Sequence, residues 1–221
     1  MIKDRVYLFS GMEDRTVVPE IVAAAAEFYK ALGVPPENIE HVTKLAAGHA
    51  FVTETSGLAC AETGKPYVVD CDYDQAGALL RHIYGDLKLP SASPAGEFVV
   101  FDQRPFTREL ADHGLGEQGL VYVPADCRAD AGCRIHVAFH GCDQSRSAIG
   151  DAFARQTGFD RWADTNRLIV LYPQTTTGAL NPQSCWDWWG YTGHDYLTRV
   201  APQITAVNRM IERLASPQAG T

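Results

Sequence analysis

The chain has 221 residues, 46% of them apolar and 21% charged, with a formal net charge of −8. This is the composition of an ordinary globular protein with enough length for a sizeable core, and its acidic balance argues against a nucleic-acid partner, which would require a basic patch. No apolar run approaches the roughly 20 residues that cross a bilayer, so no membrane partner is expected, and residues 1–20 lack a basic-then-apolar signal-peptide pattern.

The first element follows almost at once. Residues 6–10 read as a buried strand, and a chain that opens on core structure is expected to continue something begun upstream. The loop 11–16 leads to a helix with Pro19 in its first turn, with Val22, Ala25, Tyr29 and Leu32 at helical spacing and Gly33 at its end. A second strand over 39–43 runs into Lys44-Leu45-Ala46-Ala47-Gly48-His49-Ala50. Asp74 suits the cap of a helix that carries Leu79, Leu80 and Ile83 and stops at Gly85. Residues 88–97, rich in Pro, Ser and Ala, read as a linker. Strands are predicted over 98–101, 119–123 and 135–139, the last ending at His140-Gly141-Cys142-Asp143-Gln144. A helix over 159–167 precedes the apolar strand 168–172, and a final helical stripe joins Leu197, Val200, Ile204, Val207, Ile211 and Leu214, with Pro202 near its start. Strands alternating with helices predict an α/β fold with a mostly parallel sheet, as one domain over residues 1–221.

Six cysteines, Cys60, Cys71, Cys127, Cys133, Cys142 and Cys185, show no CxxC spacing, so no metal site is expected. Short polar loops suggest Cys60 with Cys71 and Cys127 with Cys133, which leaves Cys142 with Cys185. The alternative is a set of free buried thiols. An even count with local pairs favours an oxidising, secreted or periplasmic setting.

Three places carry candidate chemistry. Asp14 follows the first strand and His49 the second, both at strand ends where α/β folds place reactive groups. Alone, Asp14 also reads as a turn or cap residue, and His49 as a loop histidine. Together, in the order strand, Asp, helix, strand, His, they match the acid and base of a hydrolase triad. His140-Gly141-Cys142 has the form of an oxyanion loop, although a plain strand-to-helix turn reads the same way. In Cys185-Trp186-Asp187-Trp188-Trp189-Gly190-Tyr191, three tryptophans within four residues are hard to bury, because each indole N–H wants a partner. A Cys142–Cys185 bridge would set this run beside the oxyanion loop as a substrate wall. No G-x-S-x-G elbow occurs. Ser10, Ser56, Ser145 and Ser147 are the serines nearest these sites, and none has elbow context. A Cys142 thiol is the remaining nucleophile candidate, excluded if it is bridged.

Over nearly its whole length the chain resembles the polyhydroxybutyrate depolymerases and related secreted esterases. The resemblance is carried by Tyr7-Leu8-Phe9-Ser10-Gly11 through Asp14, Ala47-Gly48-His49-Ala50, Cys71-Asp72-Tyr73-Asp74-Gln75-Ala76-Gly77 and His82-Ile83-Tyr84-Gly85 in the first half. In the second it is carried by Phe139-His140-Gly141-Cys142-Asp143-Gln144, Trp162-Ala163-Asp164, Leu171-Tyr172-Pro173-Gln174 and above all Cys185-Trp186-Asp187-Trp188-Trp189-Gly190. It implies a circularly permuted α/β-hydrolase, N-terminally incomplete. Residues 1–87 would hold triad acid Asp14 and base His49, 88–97 the permutation junction, and 98–221 the oxyanion N–H of Cys142 and a substrate crevice bordered by Trp186. The serine elbow would lie upstream of Met1, making that segment a partner of the chain. The implied substrate is a short-chain hydroxyalkanoate polyester or a small ester, with no cofactor. A feruloyl or acetylxylan esterase, or a non-catalytic polymer-binding protein of the same fold, are the alternatives.

Overall fold

Two parallel strands need a crossover, and the sequence supplies a helix between its first two strand-forming stretches. In the computed structural model, which describes residues 3–128 and 132–216, these are β1 (Val6–Phe9), α1 (Pro19–Ala31) and β2 (Ile39–Val42). There follow β3 (Phe51–Thr53), β4 (Leu58–Ala59), β5 (Val68–Asp70), α2 (Gln75–Tyr84), β6 (Glu97–Asp102), α3 (Arg104–Thr107), β7 (Gln118–Val123) and β8 (Arg134–Val137). The chain continues through α4 (Arg146–Ile149), α5 (Ala152–Gln156), α6 (Phe159–Asn166), β9 (Leu168–Tyr172) and α7 (Pro202–Ala215). The fold is α/β-hydrolase-like, with parallel and mixed sheets. The described residues form two compact units. One holds the chain up to Leu89 with Arg155–Trp162, and the other Pro90–Ala154 with the chain from Ala163 onward.

In the first unit β1 and β2 pair in parallel, Val6 opposite Ile39 through Phe9 opposite Val42. Proline at its first turn starts α1, and Gly33, at φ +86°, ends it by letting Val34 N–H reach back to Tyr29 O. A second, all-parallel sheet places β5 between β3 and β4. Ala47, Val52 and Val69 form its buried centre, with Phe9, Leu45, Leu58 and the Cys60–Cys71 disulfide packed around them. Asp74 does more than the capping its position suggests. Its Oδ1 accepts the Gly77 N–H at 2.8 Å and its Oδ2 accepts the Trp162 indole N–H at 2.7 Å. Gly77 has to be glycine there, because a Cβ would lie 2.5 Å from both Asp74 Oδ2 and the Trp162 ring.

In the second unit the sheet order is β6-β7-β9-β8. The β6–β7 and β7–β9 pairs are antiparallel and the β8–β9 pair is parallel, so this sheet is mixed. Every residue of β9 is buried, as its unbroken apolar run requires. Leu115, Leu171, Ala206 and Met210 make a core between sheet and α7. Fully buried Gln103 bolts the strand ends: its amide nitrogen donates to Gly116 O and Gln174 O, and its oxygen accepts Gln174 N–H. Asp164 fixes the end of the predicted linker by accepting the N–H groups of Ala95 and Gly96 and the hydroxyl of Tyr122.

One predicted stripe is shorter than its periodicity. Leu197 and Val200 lie before α7 and are exposed, because Pro202 takes the first helical position and holds Ala201 in an extended conformation at ψ 137°. No helix among the described residues is long and apolar enough to cross a membrane.

His136, on β8, has its imidazole pushed down to about 4 by burial. Between the ordinary value of 6.5 and about 4, the unfolded chain binds a proton that the folded chain refuses. Stability from this group is therefore complete above pH 6.5 and is lost as pH falls, by on the order of 3 kcal/mol at the bottom of the window. Urea unfolding at pH 7 and pH 4 should show a steeper loss for the unaltered chain than for His136→Gln. Equal slopes would contradict this.

Candidate active site

The loops after β1 and β2 run against each other through backbone contacts. Ser10 N–H donates to Val42 O, Met12 N–H to Leu45 O and Glu13 N–H to Ala47 O. Gly11 makes the approach possible, since a Cβ there would sit 2.2 Å from Ala47 O. At the far end of this contact His49 Nδ1 meets Asp14 Oδ2 at 2.8 Å. The other carboxylate oxygen of Asp14 accepts the N–H groups of Thr16 and Val17 at 2.8 and 2.9 Å, so the acid is held from both sides. Its side chain is 11% exposed and that of His49 40%.

The His49 backbone is gripped separately. Gly48 N–H donates to Cys60 O, and His49 N–H to Thr63 Oγ1 at 2.8 Å. A Cβ on Gly48 would lie 2.4 Å from Glu62 O. The loop stapled by Cys60–Cys71 is therefore the floor under the histidine, and Thr63 carries no local signal of its part in it. With a carboxylate at Nδ1, the favoured tautomer carries its proton there and leaves Nε2 as a base. Nε2 has no hydrogen-bond partner among the described residues. Ser10, although close in sequence, is 2% exposed and its hydroxyl finds no partner.

In the second unit, β8 ends at Val137 and the chain passes through Ala138 and Phe139 to His140-Gly141-Cys142. Cys142 is bonded to Cys185, so it offers no thiol, and the third disulfide joins Cys127 to Cys133. The bridge brings residues 183–186 to the loop: Asp143 N–H donates to Gln183 O at 2.6 Å, and the Trp186 ring stands edge-on to Phe139 at 4.7 Å and tilted to His140 at 5.7 Å. The three tryptophans divide. Trp186 packs on the core with its Nε1 buried and unpartnered, whereas Trp188 is 71% exposed and stacks edge-to-face on Trp189. Ser145 is fully buried, and its hydroxyl pairs with that of Ser147.

Asp187 shapes this run. Its carboxylate accepts the N–H groups of Trp189, Gly190, Tyr191 and Thr192 and the Thr192 hydroxyl. Burial alone would raise its pKa, but these donors outweigh burial and hold it below the usual carboxylate range. An acid followed at three and five residues by Gly and Thr was the available signal for this turn.

No family model matches the chain. It is 41% identical over 221 residues to a poly(3-hydroxybutyrate) depolymerase of Delftia acidovorans, covering 98% of this chain and 44% of that one. It is 34% identical over 232 residues to a polyhydroxybutyrate depolymerase of Talaromyces funiculosus, covering 96% and 66%. Among solved structures it is similar to the PHB depolymerase from Penicillium funiculosum, with a TM-score of 0.86 and 31% identity. It is also similar to a PHB depolymerase variant complexed with an R3HB trimer, with a TM-score of 0.87 and 32% identity; each match covers 96% of this chain and 70% of the other. The chain thus spans less than half of the first relative and just under two thirds of the second.

Gly11→Ala should cost about 1–3 kcal/mol by overpacking and pull the two loops apart. The expected readouts are a lower urea midpoint and loss of the slowly exchanging Nδ1 proton of His49 in NMR spectra. Retention of both would refute the close approach of the loops.

Proposed function

The chain belongs to the polyhydroxybutyrate depolymerase family, and from that premise we propose that it carries the acid, base and oxyanion donor of a serine ester hydrolase for short-chain hydroxyalkanoate polyesters. The observation that carries this reading is the Asp14–His49 pair, with its acid anchored by two backbone N–H groups and the Nε2 of its histidine unpartnered among the described residues. In the proposed reaction Nε2 takes the proton of a serine hydroxyl as it attacks the ester carbonyl, and later returns it to the leaving alkoxide. Water then repeats the cycle on the acyl-enzyme. Asp14 keeps the imidazole in the required tautomer and stabilises the imidazolium that forms. The Cys142 N–H receives the oxyanion, and Trp186 borders the crevice that holds the acyl chain.

In this reading none of the serines in these 221 residues is the nucleophile, and the order acid, histidine, oxyanion loop is that of a circularly permuted hydrolase whose serine elbow precedes the acid. Residues 1–221 work as one catalytic domain. Three disulfides support a secreted or periplasmic setting. The exposed Trp188 and Trp189 favour a second reading, a polymer-binding protein without catalysis.

The chain by itself should not hydrolyse p-nitrophenyl butyrate, and hydrolysis abolished by His49→Ala would show that a nucleophile lies within it. A polypeptide extended upstream to include an in-frame G-x-S-x-G should hydrolyse both that ester and R3HB trimer, and lose roughly 10⁴-fold or more on His49→Ala. Trimer binding that survives Asp14→Ala and His49→Ala but not Trp188→Ala, with no hydrolysis by the extended polypeptide, would favour the binding protein instead.

A further inference from the structure

We propose that His140 is a positioning residue: as the neutral Nδ1–H tautomer it sets the plane of the Gly141–Cys142 peptide so that the Cys142 N–H is presented unpaired. The proposal rests on the reading of that N–H as the oxyanion donor.

The Gly141 peptide groups, the Asp143 N–H and the Cys142 sulfur, which flank the Cys142 N–H, are engaged. Gly141 N–H donates to the side-chain oxygen of Gln144 at 2.8 Å. Gly141 C=O accepts from His140 Nδ1 at 2.7 Å and from Gln144 N–H at 3.2 Å. Asp143 N–H donates to Gln183 O, and the Cys142 sulfur is bonded to Cys185. The Cys142 N–H has no partner among the described residues, and Cys142 is exposed. A trans peptide is planar, with its C=O and N–H in one plane and pointing oppositely. Holding the Gly141 oxygen therefore aims the Cys142 N–H.

The tautomer follows from hydrogen counting. His140 Nε2 lies 3.2 Å from both the N–H and the hydroxyl oxygen of Thr175. The Thr175 hydroxyl has one hydrogen, and it is given to Ser184 O at 2.5 Å. Nε2 is therefore the acceptor of the Thr175 N–H, and the single ring proton sits on Nδ1, where it donates to Gly141 O. His140 is 2% exposed, so water does not compete for either nitrogen, and the Trp186 ring lies against it. Burial, opposed by the smaller pull of the Gly141 carbonyl, keeps the imidazole below its ordinary pKa and so uncharged.

The test uses the 221-residue chain, labelled with ¹⁵N. Long-range ¹H–¹⁵N correlation at pH 7 should show His140 protonated at Nδ1 and bare at Nε2. In His140→Asn the amide nitrogen takes the place of Nδ1, and in His140→Gln that of Nε2. The Cys142 amide signal should hold its position in the Asn variant and shift or broaden in the Gln variant, while the two variants melt within a few degrees of each other. An Nε2–H tautomer, or a Cys142 amide indifferent to the Asn–Gln exchange, overturns the proposal. The tautomer is read on the unaltered chain, so that arm stands even if both substitutions prevent folding. Added R3HB trimer should then move the Cys142 amide in the unaltered chain and the Asn variant, with affinity at least tenfold weaker in the Gln variant. A trimer that leaves the amide unmoved, after the first two arms succeed, overturns the oxyanion role of Cys142 and leaves its positioning by His140 intact.

Discussion

The first unit turns on one close backbone approach, Gly11 against the carbonyl of Ala47. A hydrogen bond between two side chains on separate loops is worth little unless both loops are already fixed, because ordering them costs about 1–2 kcal/mol per residue. Here that ordering is shared with the sheet. Parallel pairing of β1 and β2 continues past the strand ends as three backbone hydrogen bonds, and the Asp14–His49 contact comes at their end. The Asp14 carboxylate is fixed again by Thr16 and Val17, and the His49 backbone by Cys60 and Thr63. The pair is thus pre-organised by groups that take no part in it, which is what general-base chemistry asks of a scaffold.

Much of this was legible in the sequence, for identifiable reasons. Strand ends and helix caps are local signals: Pro19, Gly33, Asp74 and Gly85 stand at the ends of α1 and α2. The five-residue apolar run of β9 needed no context. The short strands of the second sheet escaped, since two or three residues carry no periodicity. Periodicity extends the last helix too far because Leu197 and Val200 keep helical spacing with residues beyond Pro202, and spacing is blind to a missing N–H. Neither Thr63 under His49 nor Thr175 behind His140 has a local signature, because each matters only through a contact made by folding.

The aromatic run shows how a local pattern is right about composition and silent about direction. Three tryptophans in four residues cannot all face one way, and the turn closed by Asp187 decides which goes where. With five donors on one carboxylate, the chain reverses tightly after Trp186. Trp186 is left against Phe139, His140 and the core, while Trp188 and Trp189 are carried outward to stack on each other. An Asp at position 187 is therefore as much a part of that surface as the rings are.

The paired loops that carry Asp14 and His49, taken together, and the His140–Asp143 loop, each considered within its own unit, follow the same rule. Buried and half-buried polar groups are normally satisfied, and in both places nearly all of them are: the Asp14 oxygens, the His49 Nδ1 and N–H, the Gly141 N–H and C=O, the Asp143 N–H. Among the groups left unmatched within the described residues are the Nε2 lone pair of His49 in the first unit and the N–H of Cys142 in the second. A loop held by many partial constraints would let such a group find an internal partner by a small shift. The disulfides Cys60–Cys71 and Cys142–Cys185, together with the glycines at 11 and 48, remove that freedom. Rigidity in each unit keeps that acceptor and that donor from being satisfied by their own loops.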